Sequence, residues 1–121
     1  MEFKFDNNIP IYIQLLEQLK ICIISGKIKS GERLPSVRDL ALQTKVNPNT
    51  MQKALVELED LKLIYTERTN GKYVTNDQNL IDKFKKQYAD ELSKKYFSGM
   101  ESIGFDKTET IDYLKKLGGD K

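Results

Sequence analysis

Two helix-start signals follow each other closely between Ser36 and Pro48, and they constrain the fold more than any other feature of the chain. Ser36-Val-Arg-Asp39 is a serine-to-acid capping pattern in its aspartate form. The hydroxyl can accept from free backbone amides, and Asp39 favours the positive end of the helix. Asn47-Pro48 is the second signal. Asparagine is a strong N-cap, and proline at the first helical position loses no intrahelical bond. The first helix is therefore short, with Val37, Leu40 and Ala41 inward, and it runs out near Gln43-Thr44. After the turn Thr44-Lys45-Val46 a second helix begins, with Met51, Ala54, Leu55, Leu58 and Leu61 on one apolar stripe.

The opening turn of that second helix is polar and partly basic, with Asn49, Gln52 and Lys53 off the stripe. Two helices joined by a few residues in this way are helix-turn-helix geometry. Leu63 to Arg68 then reads as a strand and Lys72-Tyr73-Val74-Thr75 as its return, with Asn70-Gly71 between them. Asn-Gly is the strongest short hairpin signal because both positions accept positive φ. A hairpin directly after the second helix is the wing of a winged helix.

Upstream, Tyr12, Leu15, Leu16, Leu19, Cys22 and Ile23 have the three-four spacing of an amphipathic helix, opened by Pro10 and closed by Gly26. The connector Lys27 to Pro35 follows, with Gly31 supplying a turn. Downstream, Ile81, Phe84, Tyr88, Leu92 and Tyr96 predict a long helix from about Asp77 to Ile103, ended by Gly104 in the left-handed conformation. Asp106-Lys-Thr-Glu109 resembles a second capping box, and Ile111, Leu114 and Leu117 mark a last short helix. The expected fold is mainly α with a small β-wing. Residues 1–75 would form a winged helix-turn-helix DNA-binding domain and residues 76–121 a two-helix dimerisation segment.

Composition narrows the function classes. With no histidine, histidine triads and histidine-bearing metal sites are excluded. The one cysteine, Cys22, falls in an apolar helical stretch, where a buried inert thiol is expected. No Gly-x-Gly-x-x-Gly or Walker-type loop occurs, so no enzyme, metal or cofactor is expected. No apolar run approaches a membrane span, no secretory signal is visible, and the reading is cytoplasmic. The overall charge is only +2, but Lys27, Lys29, Arg33, Arg38, Lys45 and Lys53 against Glu32 and Asp39 give this stretch a local +4. That is the footprint of a phosphate-facing surface, and it argues against the rival reading of a protein-interaction module.

Ile9-Pro-Ile-Tyr-Ile-Gln-Leu15, Gly31-Glu-Arg-Leu-Pro-Ser-Val-Arg-Asp-Leu-Ala41, Val46-Asn-Pro-Asn-Thr50 and Lys53-Ala54 together resemble the GntR family of bacterial regulators. The short chain and two C-terminal helices look like its YtrA-type branch. The resemblance implies a homodimeric transcription regulator, here read as a repressor, on a pseudo-palindromic operator in double-stranded DNA. It also implies that Arg38 reaches DNA. Two positions depart from the family pattern: Lys62 and Thr69 stand where glycines are usual. Lys62 must either adopt a left-handed conformation at a cost or reshape the helix ending to avoid it.

The expected DNA contacts are Arg38, Lys45, Asn47, Asn49, Thr50, Gln52, Lys53, Arg68, Gly71 and Lys72. At least one of Asn47 and Thr50 is expected to cap the helix, which leaves Asn49 as the specificity residue. Lys53 suits phosphate or guanine, and Lys45, Arg68 and Lys72 suit backbone clamps. Tyr12 is expected in the core. Ile81, Phe84, Tyr88, Leu92, Tyr96, Ile111, Leu114 and Leu117 are expected to build the dimer contact. The roughly 45 residues after the wing are too few for an enclosed effector pocket of their own, and no effector is implied.

Overall fold

A computed structural model describes residues 2–119. The elements follow in the order α1 (Ile11–Ile24), α2 (Val37–Thr44), α3 (Pro48–Asp60), β1 (Ile64–Glu67), β2 (Gly71–Val74), α4 (Gln78–Ser102) and α5 (Lys107–Leu117). The chain divides into two compact units, Met1–Phe84 and Lys85–Lys121.

The first unit is built around one apolar core. Leu15, Leu19, Cys22 and Ile23 enter it from α1, Leu40 and Ala41 from α2, and Met51, Ala54, Leu55 and Leu58 from α3. Ile64 and Val74 close it from the two strands. Each fully buried Leu or Ile contributes about 1.5–3 kcal/mol relative to exposure, so the stripes at three-four spacing drive the assembly. Cys22 is buried, and burial pushes its thiol pKa up, the setting of an inert thiol.

The helix starts are those the sequence announces. Ser36 Oγ accepts from the Asp39 amide at 3.1 Å, and Asn47 caps α3 with Pro48 at its first turn. The helix ends share one device. At Lys45 and again at Lys62 the chain turns left-handed, with φ 58° and 65°. The following amides, of Val46 and Leu63, then reach back to the Ala41 and Leu58 carbonyls, each at 3.0 Å. This is the Schellman closure, and buried Val46 and Leu63 supply its apolar contact. Of the two outcomes open at Lys62, the chain therefore takes the strained one.

β1 and β2 pair antiparallel in the register Ile64↔Val74 to Glu67↔Gly71. The turn differs from the two-residue Asn-Gly form. Residues 68–70 form the loop, the Asn70 amide bonds the Glu67 carbonyl at 3.2 Å, and of the expected pair only Gly71 has positive φ, 107°. Such a turn followed by one left-handed glycine is the three-residue alternative.

Two further features lie beyond local sequence patterns. The connector before α2 runs beside β2: Arg33 bridges Tyr73, Leu34 N donates to Lys72 O at 2.8 Å, and Val74 N donates to Glu32 O at 2.9 Å. At the other end of the chain, Phe3 and Phe5 pack against the core. Gln14 and Gln18 side-chain amides bond the Asp6, Ile9 and Lys4 carbonyls and hold that arm in place.

Asp77 opens α4 by accepting from Leu80 N at 3.1 Å. The first turns of α4 belong to the first unit, where Leu80 and Phe84 pack on the core and Ile81 is 3% exposed. The division expected at residues 75/76 thus falls later. Ile81, and in large part Phe84, must also be removed from the expected dimer stripe, because their apolar surface is already covered within the head.

The second unit holds the rest of α4 and α5. Gly104 is left-handed at φ 101°, and Asp106 and Glu109 form a complete capping box. The Glu109 amide donates to Asp106 Oδ1 at 2.8 Å and the Asp106 amide donates to Glu109 Oε1 at 3.1 Å. Met100 and Thr110 are buried, and Phe105 meets Tyr113 edge-on. Among the described residues no helix is long and apolar enough to cross a membrane.

Candidate nucleic-acid interface

The outer face of α3 is set by its inner one. With Met51, Ala54, Leu55 and Leu58 in the core, Asn49, Gln52, Lys53 and Val56 face outward along the helix. Asn47 Oδ1 accepts from the Asn49 backbone amide at 2.8 Å, so the Asn47 side chain is the cap. Thr50 is half-buried and takes no part in that cap. The Asn49 side chain is exposed and, among the described residues, makes no hydrogen bond, which leaves its amide group for an outside partner.

Lys53 is placed with unexpected definition. Its ammonium lies over the Tyr12 ring, 4.9 Å from the centroid. Tyr12 packs against the core, as expected, and its ring also steadies a cation of α3. Such a contact is worth about 0.5–1 kcal/mol at an exposed site. Arg38 is exposed on the opening turn of α2, and Lys45 is exposed at the left-handed turn between the helices. Neither has an ion-pair partner among the described residues.

The wing corrects one expectation. Lys72 does not stand free as a phosphate clamp. Its ammonium is 3.2 Å from Glu59 Oε1, at the end of α3, and 3.0 Å from Thr66 Oγ1 on β1. Thr66 in turn donates to the same Glu59 oxygen at 2.7 Å. The hydrogen bond from Thr66, and next the one from Lys72, hold the Glu59 carboxyl below its ordinary pKa. The three side chains brace the wing against α3. On the other face of the hairpin, Tyr65 and Tyr73 stack across the strands with centroids 5.8 Å apart.

At the wing turn, Arg68 is exposed in the loop. Beside it lies Arg33, counted in the basic stretch but not among the expected DNA contacts. A Cβ added to Gly71 would come 3.3 Å from Arg33 Nε and 3.5 Å from its Nη2. The guanidinium thus rests beside the bare backbone of Gly71; a Cβ there would only press this flexible side chain to shift slightly, and it is the φ of 107° that calls for glycine. The sequence places Arg33 only in the basic stretch from Lys27 to Lys53, with no indication of this seat.

Comparison with known proteins agrees with this geometry. Residues 11–74 match the family described as bacterial regulatory proteins, gntR family. The chain is 32% identical over 115 residues to the HTH-type transcriptional regulator YhcF of Bacillus subtilis, covering 95% of each protein. It is 33% identical over 112 residues to the HTH-type transcriptional repressor YtrA of the same organism, covering 92% of this chain and 86% of YtrA. Among solved structures, a GntR family transcriptional regulator from Listeria monocytogenes superposes with a TM-score of 0.84 at 38% identity, over 93% of this chain and 98% of that one. The AraR DNA-binding domain in complex with operator ORX1 matches with a TM-score of 0.54 at 25% identity, over 62% of this chain and 95% of that one.

Proposed function

The chain belongs to the gntR family of bacterial regulatory proteins and is a DNA-binding transcriptional regulator, not an enzyme; from this premise we propose that it is a homodimeric repressor acting on a pseudo-palindromic operator. One observation carries the reading. Asn47 caps α3 and leaves Asn49, Gln52 and Lys53 exposed at the helix start, the part of a recognition helix that enters the major groove. Asparagine offers a bidentate match to adenine, and the free amides of a helix N-terminus favour phosphate. Arg38, Lys45 and Arg68 supply cations that fix the register on the backbone. The operator complex solved for AraR supports DNA as the partner, and the repressor name of YtrA supports the sign of regulation.

Dimerisation rests on the second unit. Leu92 is 67% exposed and Leu117 66%, and Tyr96, Ile111 and Leu114 are exposed as well. A concentration of apolar side chains of this kind is rare on a monomer and calls for a partner surface. A twofold pair places two reading heads on two half-sites, about one helical turn (~34 Å) or a multiple of it apart. Tethering makes the second encounter intramolecular and raises avidity by roughly 10²–10⁴ without any new contact.

Selection of genomic fragments by the full-length protein tests the proposal. The retained fragments are expected to share an inverted repeat, and a reporter placed behind that repeat is expected to be switched down by the protein. Fragments without a common repeat would reject the dimeric operator. A reporter switched up would reject the repressor assignment alone.

A further inference from the structure

We infer that Arg33, carried by the connector between α1 and α2, is a further DNA-binding cation of the wing beside Arg68 and holds a backbone phosphate near the contacts of the recognition helix. The inference rests on the regulator reading above and adds a residue to it.

The first support is placement. The connector pairs with β2 through the Arg33↔Tyr73 bridge and the flanking backbone bonds at Glu32 and Leu34. It therefore forms a third extended segment of the wing, and its one arginine is fixed to that element by backbone bonds. The second support is the seat. The guanidinium lies over Gly71, at the turn end of β2, where no side chain competes for the space. A stem seated on a bare backbone loses part of its rotamer freedom before any ligand arrives, which lowers the cost of ordering it on binding. The third support is charge. Arg33 is exposed and, among the described residues, has no carboxylate partner, whereas the other strand cation of the wing, Lys72, is engaged by Glu59. A planar fork with free N–H donors at the tip of a wing matches phosphate oxygens.

Binding of the full-length protein to a selected operator duplex, followed by fluorescence anisotropy across a salt series, tests the assignment. Arg33→Gln keeps much of the stem and removes the charge. Arg33→Lys keeps the charge and removes the fork. For Arg33→Gln the affinity is expected to fall roughly tenfold, as for the loss of one charge-assisted hydrogen bond. The slope of log affinity against log salt is expected to become shallower by about 0.9, the value for one phosphate. Arg33→Lys is expected to keep the wild-type slope with an intermediate affinity, and both variants are expected to melt with the wild type. A wild-type slope and affinity in Arg33→Gln, while the wild-type protein binds steeply with salt, would overturn the assignment of Arg33 alone. A wild-type protein whose binding ignores salt would overturn the regulator reading and this inference together.

Discussion

The side-chain oxygen of Asn47 accepts from the backbone amide of Asn49 at 2.8 Å, and this one bond gives the two neighbouring asparagines different roles. The first is spent inside the protein, while the second keeps its side-chain amide exposed. Asn47→Ala is expected to lower stability by about 1 kcal/mol, the usual cost of a lost N-cap, with site preference intact. Asn49→Ala is expected to leave stability unchanged, weaken operator binding by roughly 1–3 kcal/mol, and relax preference at particular base pairs. Urea unfolding and binding to a panel of singly substituted operators measure the two. An unchanged base preference in Asn49→Ala would displace the recognition turn from this site.

Lys62 is left-handed at φ 65° and exposed, at a position where glycine is usual in the family it resembles. A left-handed conformation costs a non-glycine residue about 1–2 kcal/mol. Glycine removes that cost but loses about 0.5–1 kcal/mol more in conformational entropy on folding. Lys62→Gly is therefore expected to stabilise the protein by ~0.5–1 kcal/mol on balance. A lower denaturation midpoint in urea would contradict the strain.

Glu59 links wing and recognition helix through Thr66 and Lys72. Its folded-state pKa is depressed, so its contribution to stability is present above the ordinary glutamate pKa of ~4.3 and is lost as pH falls through the depressed value. The group is partly exposed, which keeps the contribution below about 1 kcal/mol. The stability difference between wild type and Glu59→Gln is expected to be measurable at pH 7 and to shrink as pH falls through the depressed Glu59 pKa. A difference that persists in acid would mean that the ion pair and its hydrogen bonds are not its source.

The head and tail are separable at a position the burial pattern defines. A chain ending at Lys86 keeps Leu80, Ile81 and Phe84, which serve the head. It is expected to fold, to be monomeric by light scattering, and to bind single half-sites weakly. Ending the chain at Thr75 removes those three side chains as well and is expected to cost several kcal/mol, at about 1.5–3 kcal/mol per buried large apolar residue. A Lys86-terminated protein that still dimerises would move the dimer contact out of the second unit.

What was legible in the sequence was local. Ser36, Asn47-Pro48 and the Asp106/Glu109 box announced their caps because each acts within one helical turn. Gly104 announced its left-handed ending for the same reason. Pairings across the chain were not legible. Nothing near Lys72 indicated that Glu59, on another element, would claim its charge. Nothing near Arg33 showed that it would lie over Gly71. The apolar stripe from Ile81 to Tyr96 read as one surface, because periodicity reports which side chains share a face and not what covers each length of it. The packing of Phe3 and Phe5 leaves no mark in the sequence, because an extended arm has no periodic signature, although Gln14 and Gln18 hold it by side-chain bonds.

DNA reading by this chain is assigned to the basic surface around α2, α3 and the wing. The most direct test is the equilibrium affinity of the full-length protein for a selected operator between 50 and 200 mM salt, set against the same measurement on unrelated duplex. Several phosphates neutralised per protomer give a log–log slope of roughly −0.9 per phosphate, and an operator affinity about 10³-fold or more above the unrelated sequence at physiological salt. A flat salt dependence, or equal affinity for both duplexes, would contradict it.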